Sequence, residues 1–323
     1  MRGQGYRLGL ALGGGAARGY FQLGVLRALA EAGIVPDCVC GTSVGALVAA
    51  PLAAGVPVEK LERLGATVQW KQDVFNMQET FLNLAFALKS YFRRLQKKVP
   101  PGVLESSRVP ELINRLIGGR TFSQLKPLVL TACDIVTGEK ILFSSPEVAR
   151  RLAGSTGYLD LAREPGEQSW QNIWAPHDVL APFEDVGVAS RASSCFPGIM
   201  SSLPIDCPDL SGNVKRRMLN DGGICDQVPV KPLRALGCRK VLAVHLGYMP
   251  LFDQVDHIVA VTMNAVNFIA RAQIHENLRL ADYVIYDPRI ESASFMKIDQ
   301  NLVQMGYEFT HGRLPEIRCA LEL

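Results

Sequence analysis

Residues 41–45, with the sequence GTSVG, match the GxSxG pattern that places a reactive serine on a sharp turn between a strand and a helix. The apolar residues before this motif predict a short buried strand, and the small-residue run after it predicts a helix. Gly41 and Gly45 let the neighbouring backbone approach closely, and the helix N-terminus favours negative charge that develops near Ser43. This setting predicts that Ser43 is a nucleophile for acyl transfer.

A second glycine-rich segment, GGGAARG at residues 13–19, joins a predicted first strand to its helix. In a parallel sheet the first two strands are neighbours, so this segment is expected to lie beside Ser43. Consecutive glycines, Gly13 to Gly15, let backbone N–H groups converge on one point, as an oxyanion hole requires. Losing one such donor typically lowers the rate by about 10²- to 10³-fold. Arg18 is expected to hold this loop or to add positive potential.

Asp221 opens the sequence Asp-Gly-Gly after a predicted strand. A carboxylate at this position can accept the Ser43 proton, and general-base assistance of this kind contributes about 10²- to 10⁴-fold. Asp-Gly-Gly is also a common turn sequence. Its occurrence together with the turn at residues 41–45, which we call the elbow, and the segment at residues 13–19, which we call the glycine loop, favours a catalytic role. Asp226, a little further along the chain, is interpreted as structural.

His245 offers an alternative scheme, because Ser43, Asp221 and His245 follow the chain order of the α/β-hydrolase triad. A Ser-His-Asp esterase therefore remains open from the residues alone. Hydrolases of that fold usually have several strands before the nucleophile, whereas one strand is predicted here. This difference favours a core or near-site position for His245.

The motifs together resemble one known family, the patatin-like phospholipases. GGGxxRG at 13–19, GTSVG at 41–45 and DGG at 221–223 occur in the family order, and residues 189–198 are similar to a fourth family block. The resemblance runs from about residue 7 to about residue 247. It implies a patatin-like fold and a catalytic dyad without histidine that acts on lipid acyl esters without calcium.

By this resemblance, Ser43 is the nucleophile, Asp221 is the base, and Gly13, Gly14 and Gly15 with Arg18 form the oxyanion site. The fourth block departs from the family pattern. It has Cys195 where the family usually has a small residue and Met200 where it usually has an aromatic one, which bears on the shape of the acyl pocket.

Two further alternatives come from other functional classes. Gly13, Gly15 and Gly19 fit a GxGxxxG dinucleotide-binding pattern, so an NADP-binding protein is considered. That fold needs an acidic residue at the end of its second strand, whereas Asp37 stands at the beginning of that strand. A non-catalytic, lipid-binding regulator with the same fold is the other alternative.

Composition excludes several classes of protein. With 34 basic and 31 acidic residues, the net charge of +3 is too small to indicate a nucleic-acid surface. The eight cysteines form no CxxC pair, and the histidines show no metal-like spacing. We therefore expect reduced thiols, no metal and no cofactor. The expected partner is a lipid or lipid-like ester, and the sequence leaves the oligomeric state open.

The expected location is the cytoplasm, with peripheral contact to a membrane as an option. No apolar run approaches the roughly 18 residues of a membrane-spanning helix. Residues 75–98 predict an amphipathic helix that ends in Arg93, Arg94, Lys97 and Lys98. Such a helix can cap the core or lie on anionic lipid, and the two roles are compatible.

These residues require an α/β scaffold, and the hydrophobic pattern predicts a three-layer α/β/α domain with a mainly parallel central sheet. Strands are predicted over 7–12, 37–41, 128–133, 140–143, 214–219, 240–246 and 283–286. Helices are predicted around 21–29, over 44–54, 75–98, 110–117 and 256–280, and from 301 onward.

The domain organisation is expected to be simple. We expect a single catalytic domain over 1–323 with a motif-bearing core at about 7–247. Residues 75–120 are interpreted as a helical cap, and residues 145–182 as an insertion or a lid. Residues 248–323 are interpreted as a C-terminal helical extension with one strand.

Overall fold

A computed structural model describes residues 5–68, 104–155, 178–197, 199–248, 258–295 and 297–323 of the chain. Within these ranges, nine strands form one sheet with helices around it. The strands are β1 (Leu8–Leu12), β2 (Cys38–Thr42), β3 (Leu128–Asp134), β4 (Lys140–Ser144), β5 (Asp178–Pro182), β6 (Leu203–Pro208), β7 (Val214–Asp221), β8 (Lys240–Val244) and β9 (Tyr283–Ile285). The α-helices are α1 (Tyr20–Glu31), α2 (Val44–Ala53), α3 (Val58–Thr67), α4 (Val109–Leu116), α5 (Pro146–Ala153), α6 (Val186–Ser193), α7 (Lys231–Ala235), α8 (Ile258–Leu278), α9 (Asn301–His311) and α10 (Leu314–Leu321).

The sheet is mainly parallel. Its main path runs β5-β4-β3-β2-β1-β8-β9, and β1 pairs in parallel with β2 and β8. β3 pairs in parallel with β2, but antiparallel with both β4 and β7, and β7 carries β6 at its outer side. The carboxyl ends of β1, β2, β3 and β8 therefore meet at one edge, where ligands bind in open α/β sheets. We call this edge the carboxyl edge.

Two hydrophobic cores cover the two faces of the sheet. On one face, buried side chains such as Phe21 of α1 and Val186 of α6 pack against the strands. On the other face, Leu152 of α5, Leu233 of α7 and Ile274 of α8 do the same. Helices therefore lie on both sides of the sheet, which confirms the expected three-layer α/β/α class.

Local pattern predicted most elements near the motifs correctly. The β1-α1-β2-α2 order is confirmed, and so is the hairpin of β3 and β4. The terminal helix predicted from residue 301 is instead two helices, α9 and α10. The break follows from Gly312, which ends α9, and from Pro315, which occupies the first turn of α10 and cannot continue a preceding helix.

The expected cap and lid segments need correction at their described ends. Val109, Ile113 and Ile117 lie buried in the core, so the end of 75–120 belongs to a main helical layer. Within 145–182, α5 packs on the sheet and β5 pairs with β4, so both elements belong to the core. The predicted helix 75–98 lies outside the described residues, as does the stretch 156–177.

The C-terminal extension packs closely against the rest of the molecule. β9 pairs in parallel with β8 and widens the main sheet. α9 packs along α1, where the rings of Phe309 and Phe21 lie 6.2 Å apart and the Tyr307 hydroxyl bonds Glu31 at 2.7 Å. Among the described residues after 257, β9 is the strand, and α8, α9 and α10 are the α-helices.

Candidate active site

Ser43 occupies the turn between β2 and α2 with φ 57° and ψ −126°. A positive φ costs a residue with a Cβ about 1–3 kcal/mol and persists only where surrounding contacts hold it. Here the Ser43 N–H donates to the Ser193 hydroxyl at 2.9 Å. Gly45 is also required, because a Cβ at that position would lie 2.1 Å from the Leu12 carbonyl oxygen. With Gly41 buried in β2, the motif folds into a sharp, strained turn at the carboxyl edge.

Asp221 reaches Ser43 from a strand that is distant in sequence. It ends β7, which runs antiparallel to β3 and pairs Asp221 with Ala132. The Ser43 Oγ–H donates to Asp221 Oδ2 at 2.6 Å. Oδ1 accepts the N–H of Gly223 at 2.8 Å, so both carboxylate oxygens have a donor. The structure thus brings together the two residues predicted to form a dyad.

The surroundings of Asp221 change its proton affinity. Its side chain is buried, with the residue 4% exposed. Burial raises the pKa of Asp221 to about 6, and the hydrogen bonds from Ser43 and Gly223 oppose that rise. A carboxylate with a pKa near neutrality is a stronger base than an ordinary aspartate and is still largely ionised at pH 7.

The glycine loop lies directly against the elbow. A Cβ on Gly14 would lie only 3.1 Å from the Ser43 Cβ, so the loop approaches as closely as a glycine allows. Such a close approach is what a loop that contributes backbone groups to a reaction at Ser43 requires. It leaves little room for a dinucleotide pyrophosphate between loop and elbow, which argues against the NADP-binding alternative.

Two of the expected oxyanion donors are already occupied. The N–H of Gly13 donates to the Val244 carbonyl at 3.0 Å, and that of Gly14 donates to the Gln227 carbonyl at 2.9 Å. The N–H groups of Gly15 and Ala16 have no acceptor within the described part of the chain. Ala16 has φ 47°, which turns the backbone sharply at this point. Within the described residues, the N–H groups of Gly13 and Gly14 are therefore not free to bind an oxyanion, whereas those of Gly15 and Ala16 are.

Arg18 has a different position from the one expected for an oxyanion group. Its guanidinium is buried and donates to four backbone carbonyls of the C-terminal region, at distances of 2.7–3.3 Å, which belong to Leu246, Tyr248, Glu291 and Ala293. The group therefore ties the glycine loop to residues 246–248 and 291–293. The assignment of Arg18 to the oxyanion site is wrong in this geometry, whereas its expected role in holding the loop fits.

His245 lies near the glycine loop but outside the dyad. It is 2% exposed, and neither ring nitrogen has a hydrogen-bond partner among the described residues. Burial is the main cause that lowers the pKa of His245 to about 4; the Glu291 carboxylate opposes this shift and the Arg18 charge adds to it. The ring instead contacts Tyr248 and Tyr286, with centroids 5.1 and 5.0 Å away. The geometry does not support a Ser-His-Asp triad.

The segment after Asp221 braces both halves of the site, which the sequence did not reveal. The Thr42 hydroxyl, next to Ser43, donates to the Asp226 carbonyl at 2.8 Å. The Gln227 side chain donates to the Gly14 carbonyl at 3.3 Å, in addition to the backbone bond between the same residues. Asp226 is held by Lys140 at 3.4 Å and Asn277 at 2.7 Å. Residues 226–227 therefore fix the elbow relative to the glycine loop.

The fourth block, residues 189–198, supports the dyad from the other side. It includes the end of α6, whose Ser193 holds the elbow backbone. The Cys195 carbonyl accepts the Asp221 N–H at 2.9 Å and the Asn220 side chain at 3.1 Å. Burial raises the pKa of Cys195 to about 11, which keeps this thiol protonated. The departure at Cys195 is therefore a packing difference without thiolate chemistry.

Comparison with known proteins agrees with this geometry. A family model described as patatin-like phospholipase matches residues 10–234. The chain belongs to the patatin-like phospholipase family. It is 27% identical over 242 residues to an uncharacterized NTE family protein of Mycobacterium tuberculosis, with 75% of this chain and 49% of the relative covered. It is 39% identical over 259 residues to a patatin-like phospholipase domain-containing protein of Caenorhabditis elegans, covering 79% of this chain and 15% of that protein.

A third relative of this patatin-like chain is lysophospholipase NTE1 of Cryptococcus neoformans, 26% identical over 249 residues, with 75% of this chain and 11% of the relative covered. The chain spans about half or less of the length of these relatives. Among solved structures, VipD from Legionella pneumophila gives a TM-score of 0.42 at 14% identity, covering 97% of this chain and 67% of that one. Human GIVD cytosolic phospholipase A2 gives 0.44 at 11% identity, covering 98% and 62%.

This member of the family has an apolar cavity of about 110 Å³ among its helices. It lies between α1, α2, α3 and α4, and its lining includes Val44, which directly follows Ser43, together with Leu23, Leu47 and Ile113. Apolar cavities of about 150 Å³ stay dry and accept small apolar ligands. A chain of methylene groups suits such a space better than a polar group does.

No group of three or more side chains in the described ranges could hold a metal ion. In the same part of this patatin-like chain, no helix is long and apolar enough to cross a membrane.

Proposed function

We propose that the protein hydrolyses acyl esters of lipids, with Ser43 as the nucleophile and Asp221 as the general base. One observation carries this proposal, namely the 2.6 Å hydrogen bond from the Ser43 hydroxyl to a buried carboxylate of raised pKa. Membership of the patatin-like phospholipase family supports a lipid ester as the substrate. The described residues, including the C-terminal extension, are proposed to act as one catalytic domain.

In the first half of the reaction, Asp221 Oδ2 takes the Ser43 proton as Oγ attacks the ester carbonyl carbon. Negative charge develops on the carbonyl oxygen, and the free N–H groups of Gly15 and Ala16 are proposed to stabilise it. The carbon–oxygen bond to the alcohol then breaks. Asp221 gives the proton to the leaving oxygen, so that the products of this half are an alcohol and an acyl-Ser43 ester.

In the second half, a water molecule takes the place of the alcohol. Asp221 accepts a proton from that water, and the resulting attack on the acyl carbonyl regenerates the same oxyanion. Its collapse returns the proton to Ser43 Oγ and releases a carboxylic acid. The same base and the same donors serve both halves, so no histidine or metal is needed to balance the protons.

The choice of a lipid substrate rests on the cavity as well as on the family. Leu23, Leu47 and Ile113 offer no hydrogen-bonding side chain to a polar acid, whereas an acyl chain gains by leaving water. Val44, which directly follows Ser43 in the chain, lines the cavity, and we propose that the carbonyl of an acyl chain inside it reaches Ser43. We therefore propose that the acyl chain of the substrate occupies this cavity.

Fatty-acid release from phosphatidylcholine and lysophosphatidylcholine in mixed micelles tests the proposal. We expect Ser43→Ala to lose at least about 10³-fold in rate. Ser144→Ala is the control, because Ser144 is a buried serine whose hydroxyl bonds only the carbonyl of Ser145; its rate should stay within about twofold. Equal activity of Ser43→Ala and wild type would contradict the proposal. Binding of lipid without turnover by wild type would instead indicate a non-catalytic regulator.

A further inference from the structure

α8 continues far beyond the site that it contacts. Near its C-terminal end, Ile274 is buried on the sheet, the Gln273 side chain donates to the Cys225 carbonyl, and Asn277 bonds Asp226 at 2.7 Å. Residues 225–226 follow the catalytic Asp-Gly-Gly turn. A helix rises 1.5 Å per residue, so the part between Gln273 and Val261 extends roughly 18 Å from that turn.

The polarity of this extended part is the reverse of that of an ordinary surface helix. Val261, Phe268 and Ile269 are 51%, 57% and 73% exposed. Asn264 and Asn267 are 9% and 4% exposed. A helix on a soluble protein normally buries its apolar side chains and exposes its amides. Exposed apolar side chains grouped on one helix indicate a surface that meets another apolar phase.

A second apolar projection lies on the other side of the site. Ile135 and Val136 follow the last residue of β3 and are 49% and 77% exposed. β7 pairs Leu219 with Asp134 and runs antiparallel, so its earlier residues project beyond the end of β3. Val214, its first residue, is 65% exposed. We call these three exposed apolar residues, Ile135, Val136 and Val214, the hairpin tip.

Both projections stand at the carboxyl edge and flank Ser43. The hairpin tip follows β3, and α8 follows β8, with β2 and β1 between them in the sheet. Three strand spacings of about 4.8 Å separate the two by roughly 14 Å at the sheet. By contrast, the exposed Val35 precedes β2 and so lies at the opposite edge.

We propose that the hairpin tip and the exposed Val261, Phe268 and Ile269 of α8, which we call the apolar stripe, bind the protein to a lipid bilayer. The Ser43 site then faces the membrane between these two surfaces. The choice of partner rests on the proposed function, because a phospholipid ester lies in a bilayer. A second copy of the chain fits less well. The exposed surface of the three side chains of the stripe amounts to roughly 300 Å², if a whole large side chain has on the order of 150–250 Å². Each partner in a stable interface buries about 800 Å².

The contact should be apolar in nature. At the hairpin tip, the basic side chains of Lys215 and Arg216 are paired with Glu139 at 3.3 Å and with Asp206 at 3.2 Å. Arg271 is the single charged residue between positions 258 and 274 of α8. Binding by this surface should therefore occur on neutral phosphatidylcholine and depend weakly on salt. Binding through the basic end of 75–98 would instead need anionic lipid.

Sedimentation of the full chain with phosphatidylcholine vesicles tests this inference. The variants are Phe268→Ser/Ile269→Ser for the stripe and Val136→Asp/Val214→Asp for the tip, with Val35→Asp as the control at the opposite edge. Each double variant should lower the partition coefficient at least about tenfold, since removing exposed apolar groups removes the binding energy. Val35→Asp should match wild type, and 0.5 M salt should weaken binding less than about twofold.

Turnover of a short-chain, water-soluble ester separates this inference from the proposed function. All three variants should turn over that ester at the wild-type rate, because none touches Ser43 or Asp221. Wild type that fails to bind neutral vesicles, or a stripe variant that binds as tightly as wild type, would overturn the docking inference. So would a dimer that the stripe variant dissociates in sedimentation velocity. Vesicle binding without ester turnover would leave the docking intact and overturn the proposed hydrolysis.

Discussion

Replacing Asp221 with asparagine should have opposite effects on activity and stability. The amide side chain of the Asp221→Asn variant keeps the shape of the carboxylate but cannot accept the Ser43 proton. General-base catalysis contributes about 10²- to 10⁴-fold, and we expect a loss of kcat within that range. The effect on stability is separate from the effect on activity. It arises because the wild-type Asp221 carboxylate is both ionised and buried at neutral pH.

The magnitude of the stability change follows from the pKa of Asp221. Its value of about 6 in the folded protein lies above the ordinary aspartate value of 3.8. A raised pKa means that the favourable contribution of this group is present below pH 3.8 and is lost as the pH rises through 6. Linkage then gives a cost of about 1.5 kcal/mol at pH 5 and about 3 kcal/mol at pH 8. Asp221→Asn removes this cost, so its stabilisation should grow with pH.

Urea denaturation at pH 5 and pH 8 measures this difference, and hydrolysis of a soluble ester from pH 4.5 to 9 measures the activity. The wild-type rate should rise with pH and level off above about pH 6, as Asp221 ionises. Asp134→Asn is the control, because Asp134 is equally buried but pairs with Arg217 at 3.2 Å. That variant should be destabilised and remain active. An Asp221→Asn variant that is less stable than wild type at pH 8, or that keeps more than about a tenth of the activity, would contradict this prediction.

Three further substitutions test separate parts of the site. His245→Phe should keep ester turnover within about threefold and leave stability equal or higher by up to about 1–2 kcal/mol, since two unpaired buried nitrogens are removed; a loss of 10³-fold in kcat would restore the triad. Leu47→Trp should fill part of the apolar cavity and lower kcat/KM for long acyl chains about tenfold, with little effect on acetyl esters; an equal loss across a chain-length series would refute the acyl site. Arg18→Lys should lower kcat about 10- to 100-fold with little change in KM, because one ammonium cannot reach all four carbonyls; unchanged kcat in a folded variant would show that the loop needs no such clamp.

The parts of the site that local patterns specify were predictable. A strand, a glycine turn and a helix follow from a few neighbouring residues, and parallel pairing then places the loop of 13–19 beside Ser43. Asp221 is different, because it reaches the serine through an antiparallel strand at a separation of 178 positions along the chain. Its assignment from sequence depended on the joint occurrence of three motifs, and the structure supplies the contact.

Other features depend on partners that no local pattern shows. Whether an N–H of the glycine loop is free depends on the carbonyls of Val244 and Gln227, which arrive from later strands and turns. The brace from Ser193 depends in the same way on how α6 packs against the elbow. The reversed polarity of α8 is also a tertiary effect, because the sequence shows only mixed apolar and amide residues. The two residues that we propose to react could therefore be predicted from sequence better than the groups that hold them.

We propose above that Ser43 is an activated nucleophile whose base is Asp221. The most direct test is intact mass and peptide mapping after treatment with a fluorophosphonate, on wild type, Ser43→Ala and Asp221→Asn. We expect one adduct on wild type, located at Ser43, no adduct on Ser43→Ala, and labelling slowed at least about 10²-fold in Asp221→Asn. An unlabelled wild type, or an adduct that persists in Ser43→Ala, would contradict this proposal.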